Sequence, residues 1–221
     1  MTIACLAPPS RFDYPTAIER VLGTRLVQPP DLVRFSPHHG DLPTHTDYDL
    51  VLVAGSQAHV TDPQPWFDDL GDYLDRAVAD GTPVVGICFG HQFLASHFGG
   101  RVEALPERRE GISTIERTAA SDDHPTFATL PRQFESFVYH ADHVTAVPDD
   151  ASVLATDDSG IQAFALDDRP VLGVQFHPEF TPAMARRTSA TVASGRLDGR
   201  LRQSRDLYPA VAGECVRASG R

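Results

Sequence analysis

The residues best placed to do chemistry lie in Gly86-Ile87-Cys88-Phe89-Gly90. A residue held between two such glycines has the spacing of a strand-to-helix elbow, where a tight turn presents one side chain above a sheet. Here that side chain is a thiol. Pro83-Val84-Val85 reads as a short buried strand before the turn, and Phe89 to Phe98 as an amphipathic helix after it. The glycines suit places where a Cβ would meet the neighbouring strand and helix. A cysteine at a helix N-terminus faces unpaired N–H groups whose partial positive charge favours a thiolate. The N–H of Phe89, the next residue, would point to where an oxyanion forms. A lone cysteine is more often an inert buried thiol, so the reading needs a partner motif.

That partner is Gln175-Phe176-His177-Pro178-Glu179-Phe180. In extended chain, residues i and i+2 share a face. His177 and Glu179 can then lie side by side, with Pro178 stiffening the segment. A carboxylate beside an imidazole fixes its tautomer and stabilises the imidazolium. Alone, His-Pro-Glu is a turn with an ion pair. With the elbow in the same chain, it completes a nucleophile, a base and an orienting acid.

Together these motifs resemble the class I glutamine amidotransferase family, over roughly residues 1–190. The resemblance implies an α/β fold: a flavodoxin-like open, mostly parallel sheet with helices on both faces and an added antiparallel portion. It implies Cys88 as nucleophile, His177 as acid/base and Glu179 as its orienter. Glutamine's side-chain amide would be cleaved through a γ-glutamyl thioester, with release of ammonia. Ala54-Gly55-Ser56-Gln57-Ala58-His59-Val60 resembles the family's oxyanion loop, so the N–H of Ser56 would join that of Phe89. The family usually has proline where Gln57 stands, and often a second glycine where Ser56 stands. Gly55, Gln92, His140 and Asp142 fall at substrate-holding positions. Asp142, in Tyr139-His140-Ala141-Asp142-His143-Val144, would pair with the glutamine ammonium, and Gln92 with its polar backbone groups. The nearest subgroup is similar to the glutaminase part of GMP synthase. No synthetase-like segment follows within this sequence. A separate synthetase would receive the ammonia, or the chain would be a γ-glutamyl peptide or γ-glutamylamine hydrolase. A non-catalytic binding protein on the same fold is the third reading. No metal or organic cofactor is implied.

The elements that must position these groups follow a pattern. Thr2 to Ala7 reads as a first strand, Pro15 to Leu22 as a helix capped by Asp13, and Arg25–Val27 and Leu32–Phe35 as β-like pieces. Asp49 to Ala54 is a continuous apolar run, the mark of a strand buried on both faces. Trp66 to Asp80 is a helix with Phe67, Leu70, Leu74, Ala77 and Val78 near one face, stopped by Gly81. This alternation implies a parallel sheet with helices on both faces. Short β segments follow at 101–104, 111–117, 137–147, 152–156, 161–166 and 171–176, then a helix over 181–194. Residues 1–195 read as one domain, and 196–221 as an Arg- and Gly-rich tail. His38, His39 and His45 read as loop histidines, since no acid or cysteine falls at a metal-binding spacing from them.

Composition narrows the class. The 221-residue chain carries a net charge of −11, with 22 Asp and 8 Glu against 19 Arg and no Lys. That balance suggests a salt-loaded cytoplasm, where dense surface charge is screened; a genome that favours Arg over Lys would give the same bias. Residues 180–221 reverse the sign, with 8 Arg against 3 acids. This basic stretch either rests on its own acidic domain or docks on an acidic partner or nucleic acid. Three cysteines, Cys5, Cys88 and Cys215, make no disulfide framework. No long apolar run or basic leader is seen, so a cytoplasmic protein is expected, with no membrane partner. Of the two partners named for the basic stretch, nucleic acid is the less expected.

Overall fold

The computed structural model describes residues 1–189 except Val27, together with Val192, Leu201, Gln203, Asp206, Leu207 and Ala210. Strands are β1 (Thr2–Leu6), β2 (Asp31–Phe35), β3 (Leu50–Val53), β4 (Val84–Ile87), β5 (Arg101–Arg117), β6 (Gln133–Ala146), β7 (Ala151–Asp157), β8 (Gly160–Leu166) and β9 (Val171–Val174). Helices are α1 (Tyr14–Arg25), α2 (Trp66–Ala79), α3 (Phe89–His97) and α4 (Pro182–Thr188).

The α/β class is as expected. Strands β2-β1-β3-β4-β9 run side by side and parallel. The expected antiparallel portion lies beyond β9, but the expected open, mostly parallel sheet needs correction there, because these strands close on one another. There β8 is antiparallel to β9, and β8, β6, β5 and β7 pair antiparallel in turn, with β7 returning to β8. Closure gives β7 partners on both sides, through Thr156 and Ala155 to β5 and along its length to β8. An otherwise exposed edge is thereby removed.

The two faces of the parallel half follow from the two-residue strand period. Ile3, Cys5, Leu50, Leu52, Val85 and Ile87 face one cluster with Tyr14, Ile18, Val21 and Leu22 of α1 and Ala185 of α4. Ala4, Leu6, Val51, Val53 and Val84 face the other, with Leu70, Tyr73, Leu74 and Ala77 of α2 and Phe93 and Leu94 of α3. Strands β1, β3, β4 and β9 are therefore buried on both sides, as their apolar runs required, while the edge strand β2 stays partly exposed. The thiol of Cys5 is fully buried in this core, and burial pushes it up to about 12.

Several element limits differ from the expected ones. Arg25 closes α1 instead of opening a strand, because the helix continues a turn past Val21 and Leu22, both buried against the sheet. Asp13 does cap it, accepting from the Thr16 N–H at 3.1 Å. The segments 101–104 and 111–117 are one strand, β5, with an irregularity between Ala104 and Arg109. Helix α4 ends at Thr188, and Ser189 is extended. The expected tail, with Cys215, lies outside the described residues except for a few positions. Two of these, Leu201 and Leu207, are buried in the α1 and α4 cluster. No helix among the described residues is long and apolar enough to cross a membrane.

The elbow glycines have little room. A Cβ on Gly86 would lie 2.4 Å from the Gly90 carbonyl carbon, and one on Gly90 would lie 2.3 Å from the Val53 carbonyl oxygen. Ala for Gly in a helix otherwise gains about 1 kcal/mol. Here the obstacle is backbone of a central strand, so the clash decides the sign. Gly90→Ala is expected to lower stability by about 3 kcal/mol, at the upper end of overpacking costs. The shift of the urea midpoint would measure it; an unchanged or higher midpoint would refute the packing argument.

Candidate active site

Cys88 sits between β4 and α3 with φ 54° and ψ −101°. Among the described residues it is the one non-glycine with positive φ. Its N–H donates to the Val174 carbonyl at 2.9 Å, so β9 fixes the turn from the side. The thiol is almost buried and lies 3.6 Å from the Tyr139 carbonyl on β6.

His177 and Glu179 follow β9; His177 sits in an isolated bridge to Phe137 and Glu179 in the turn after it, so the extended chain expected for both is not kept. The His177 N–H donates to the Phe137 carbonyl at 2.8 Å, which pins this segment to β6. The two side chains still meet, with Nδ1 of His177 2.6 Å from Oε1 of Glu179, and both residues have no exposed surface. Tyr14 stacks on the imidazole at 5.5 Å with planes 5° apart, and Phe180 packs at 4.9 Å. Nε2 has no partner at hydrogen-bonding geometry among the described residues. Burial alone would pull the imidazole down. The Glu179 carboxylate and the Cys88 sulfur outweigh it and carry His177 from 6.5 up to about 10.

The oxyanion-loop residues are tied to the loop after β1. Ser56 Oγ donates to the Pro9 carbonyl at 2.7 Å and accepts from the Ala58 N–H at 2.9 Å. Gln57 Oε1 accepts from the Arg11 N–H at 2.8 Å. These bonds hold the loop without the family's usual proline. Gly55 lies against Tyr14, where a Cβ would come within 2.8 Å of the ring. Phe89 opens α3, and its N–H falls among the first helical donors, which lack intrahelical acceptors.

The substrate-holding candidates converge on β6. Gln92 Nε2 donates to the Asp142 carbonyl at 2.8 Å and to Gln175 Oε1 at 2.9 Å. His140 Nδ1 bonds to the same Asp142 carbonyl at 2.8 Å. Burial pushes His140 down to about 4, so the ring is neutral and Nδ1 is the donor. The Asp142 carboxylate is held by Nδ1 of His59 at 2.9 Å. Sequence reasoning missed this pair. The partners are 83 positions apart, and no local pattern joins them. It also missed Tyr14, whose ring covers His177. His38 and His39 lie together in a short 3-10 turn, and His45 stacks on Tyr48.

A buried acid–imidazole pair beside a strained thiol, on an α/β sheet, is the arrangement of a thiol-based acyl-transfer site. The family model for glutamine amidotransferase class-I matches residues 17–189, and the chain belongs to that family. It is 36% identical over 129 residues to a glutamine-hydrolyzing GMP synthase of Thermomicrobium roseum, covering 58% of this chain and 23% of that one. It is 33% identical over 143 residues to the gamma-glutamyl-L-1-hydroxyisopropylamide hydrolase of a Pseudomonas species, covering 61% and 48%. It is 32% identical over 138 residues to one subunit of the glutamine-hydrolyzing GMP synthase of Halobacterium salinarum, covering 62% and 69%. The chain thus spans about a quarter to a half of the first two proteins.

Proposed function

We propose that the chain hydrolyses the side-chain amide of glutamine through a thioester on Cys88 and releases ammonia to a separate synthetase. The observation that carries this is the 2.6 Å contact of His177 with Glu179, buried next to Cys88. The imidazole is raised to about 10, so His177 holds its proton near neutrality, and the proposed reaction starts with the Cys88 proton on that imidazole. Sγ adds to the amide carbonyl carbon, and the oxyanion meets the N–H groups of Phe89 and Ser56. The C–N bond then breaks, and the imidazolium gives its proton to the departing nitrogen. Water next attacks the thioester, losing a proton to His177, and glutamate leaves. Likeness to one subunit of a GMP synthase supports the separate acceptor.

A second reading is favoured by the likeness to a γ-glutamylamide hydrolase. The same steps then release a substituted amine. The site is tested by product release at high salt from glutamine and a panel of γ-glutamyl compounds, wild type beside Cys88→Ala. Cys88-dependent ammonia from glutamine supports the first reading, and faster turnover of another γ-glutamyl compound supports the second. No turnover by folded protein, alone or with a synthetase, would end both.

A further inference from the structure

Two guanidinium groups meet on the side chain of Tyr139, whose backbone carbonyl neighbours the thiol, and have no carboxylate to meet. Arg11, on the loop after β1, donates through Nη2 to the hydroxyl of Tyr139. Arg108 donates to the same hydroxyl through Nη1 at 2.7 Å. Their guanidinium carbons also lie 5.4 and 5.0 Å from the Tyr139 ring centroid. Both arginines are exposed, and neither has an acidic partner among the described residues. Arg34, Arg109, Arg117, Arg132 and Arg169 each meet a carboxylate, whereas Arg11 and Arg108 converge on one neutral hydroxyl. Two like charges drawn to one neutral oxygen repel each other, and an anion between them would relieve that repulsion.

The backbone brings them there. In the β5–β6 ladder, Ala104 pairs with Asp142 and Arg109 with His140. Leu105 to Arg108 thus stand opposite Ala141 alone, and the excess chain bulges outward and carries Arg108 to Tyr139. Along β6, Tyr139 alternates with His140 and Asp142. Its ring therefore joins the cluster of Tyr14 and Phe180, away from the Gln92, His140 and Asp142 group. A continuous aromatic wall leads to it from the acid/base residue. Tyr14 lies against His177, Phe12 is 5.7 Å from Tyr14, and Tyr139 is 5.8 Å from Phe12.

The leaving nitrogen must lie beside His177 to receive its proton. The wall offers whatever that nitrogen carries an apolar surface to run along. We infer that Arg11 and Arg108 form a subsite for a carboxylate on the leaving amine, so that the substrate is a γ-glutamyl amino acid or peptide. The inference rests on the γ-glutamyl hydrolase reading above. The reaction cleaves the γ-amide C–N bond with addition of one water, yielding glutamate and an amino acid or peptide.

The test compares γ-glutamylglycine with γ-glutamylethylamide, which differ in that carboxylate, at one fixed ionic strength. In wild type the anionic compound is expected to have the higher kcat/KM. In Arg11→Gln and Arg108→Gln the ratio of the two should fall about 10-fold each, the weight of one hydrogen bond to a charged group. Most of the loss should appear in KM. Arg108→Lys should restore part of it, since charge remains while the planar fork does not. An unchanged ratio in both variants would overturn the inference while leaving Cys88-dependent hydrolysis intact. Should neither compound turn over, calorimetric binding of γ-glutamylglycine to Cys88→Ala decides. Binding weakened about 10-fold by Arg11→Gln supports the subsite; binding that is absent, or insensitive to both arginines, refutes it.

Discussion

Cys88→Ala is expected to lower turnover of any γ-glutamyl substrate by about 10⁴-fold or more, the scale seen when a nucleophile is removed from a linked constellation. The argument is one of position. The elbow holds Cys88 at φ 54°, fixed by the Val174 carbonyl and flanked by two glycines that have no room for a Cβ. No other cysteine can substitute among the described residues: Cys5 is fully buried in the core and pushed up to about 12. The same backbone predicts a gain in stability. Positive φ in a non-glycine residue stores about 1–3 kcal/mol. Cys88→Gly should recover about 1 kcal/mol of that in a urea titration, net of the added chain entropy, with turnover lost as in Cys88→Ala. A Gly variant less stable than the Ala variant would show that the turn is unstrained. A Cys88→Ala protein retaining wild-type turnover would remove the thiol from the chemistry altogether.

The parts of the site that the sequence revealed are those set by local geometry. Glycines two residues either side of Cys88 are visible because a Cβ there meets backbone at 2.3–2.4 Å. His177 and Glu179 are legible because they are two residues apart, even though the chain bends between them. The inner parallel strands β1, β3, β4 and β9 showed as apolar runs because both of their faces are covered. What stayed hidden depends on which distant edges meet. Turn signals mark the hairpins of β5 to β8, but nothing in a hairpin says that its free strand will close onto another. His59 with Asp142, and Arg11 with Tyr139, join residues 83 and 128 positions apart. Their spacing carries no period. Arg108 was hidden by the irregularity in β5, which read as a break between two strands and is a bulge within one.

Glu179→Gln should separate orientation from charge at His177. Burial lowers the imidazole, and it stands near 10 because the Glu179 carboxylate and the Cys88 sulfur act against burial. An amide keeps the shape and can still accept from Nδ1, but its charge is gone. The imidazole should then lose its proton at neutral pH, so the buried ring is left neutral and no charge is stranded. The variant is therefore expected to fold. Its kcat should fall by about 10²–10⁴-fold, the range for a positioned acid/base group. The alkaline limb of kcat/KM, expected near 10 in wild type, should move to lower pH. Stability gives an independent sign. A folded value above the unfolded 6.5 means that the native state holds the proton more tightly. That contribution is complete below about 6.5 and is lost as pH rises toward about 10. Wild-type urea midpoints should therefore decline across this window, and those of Glu179→Gln should decline less. Equal slopes, together with an unmoved alkaline limb, would mean that Glu179 does not set the protonation of His177.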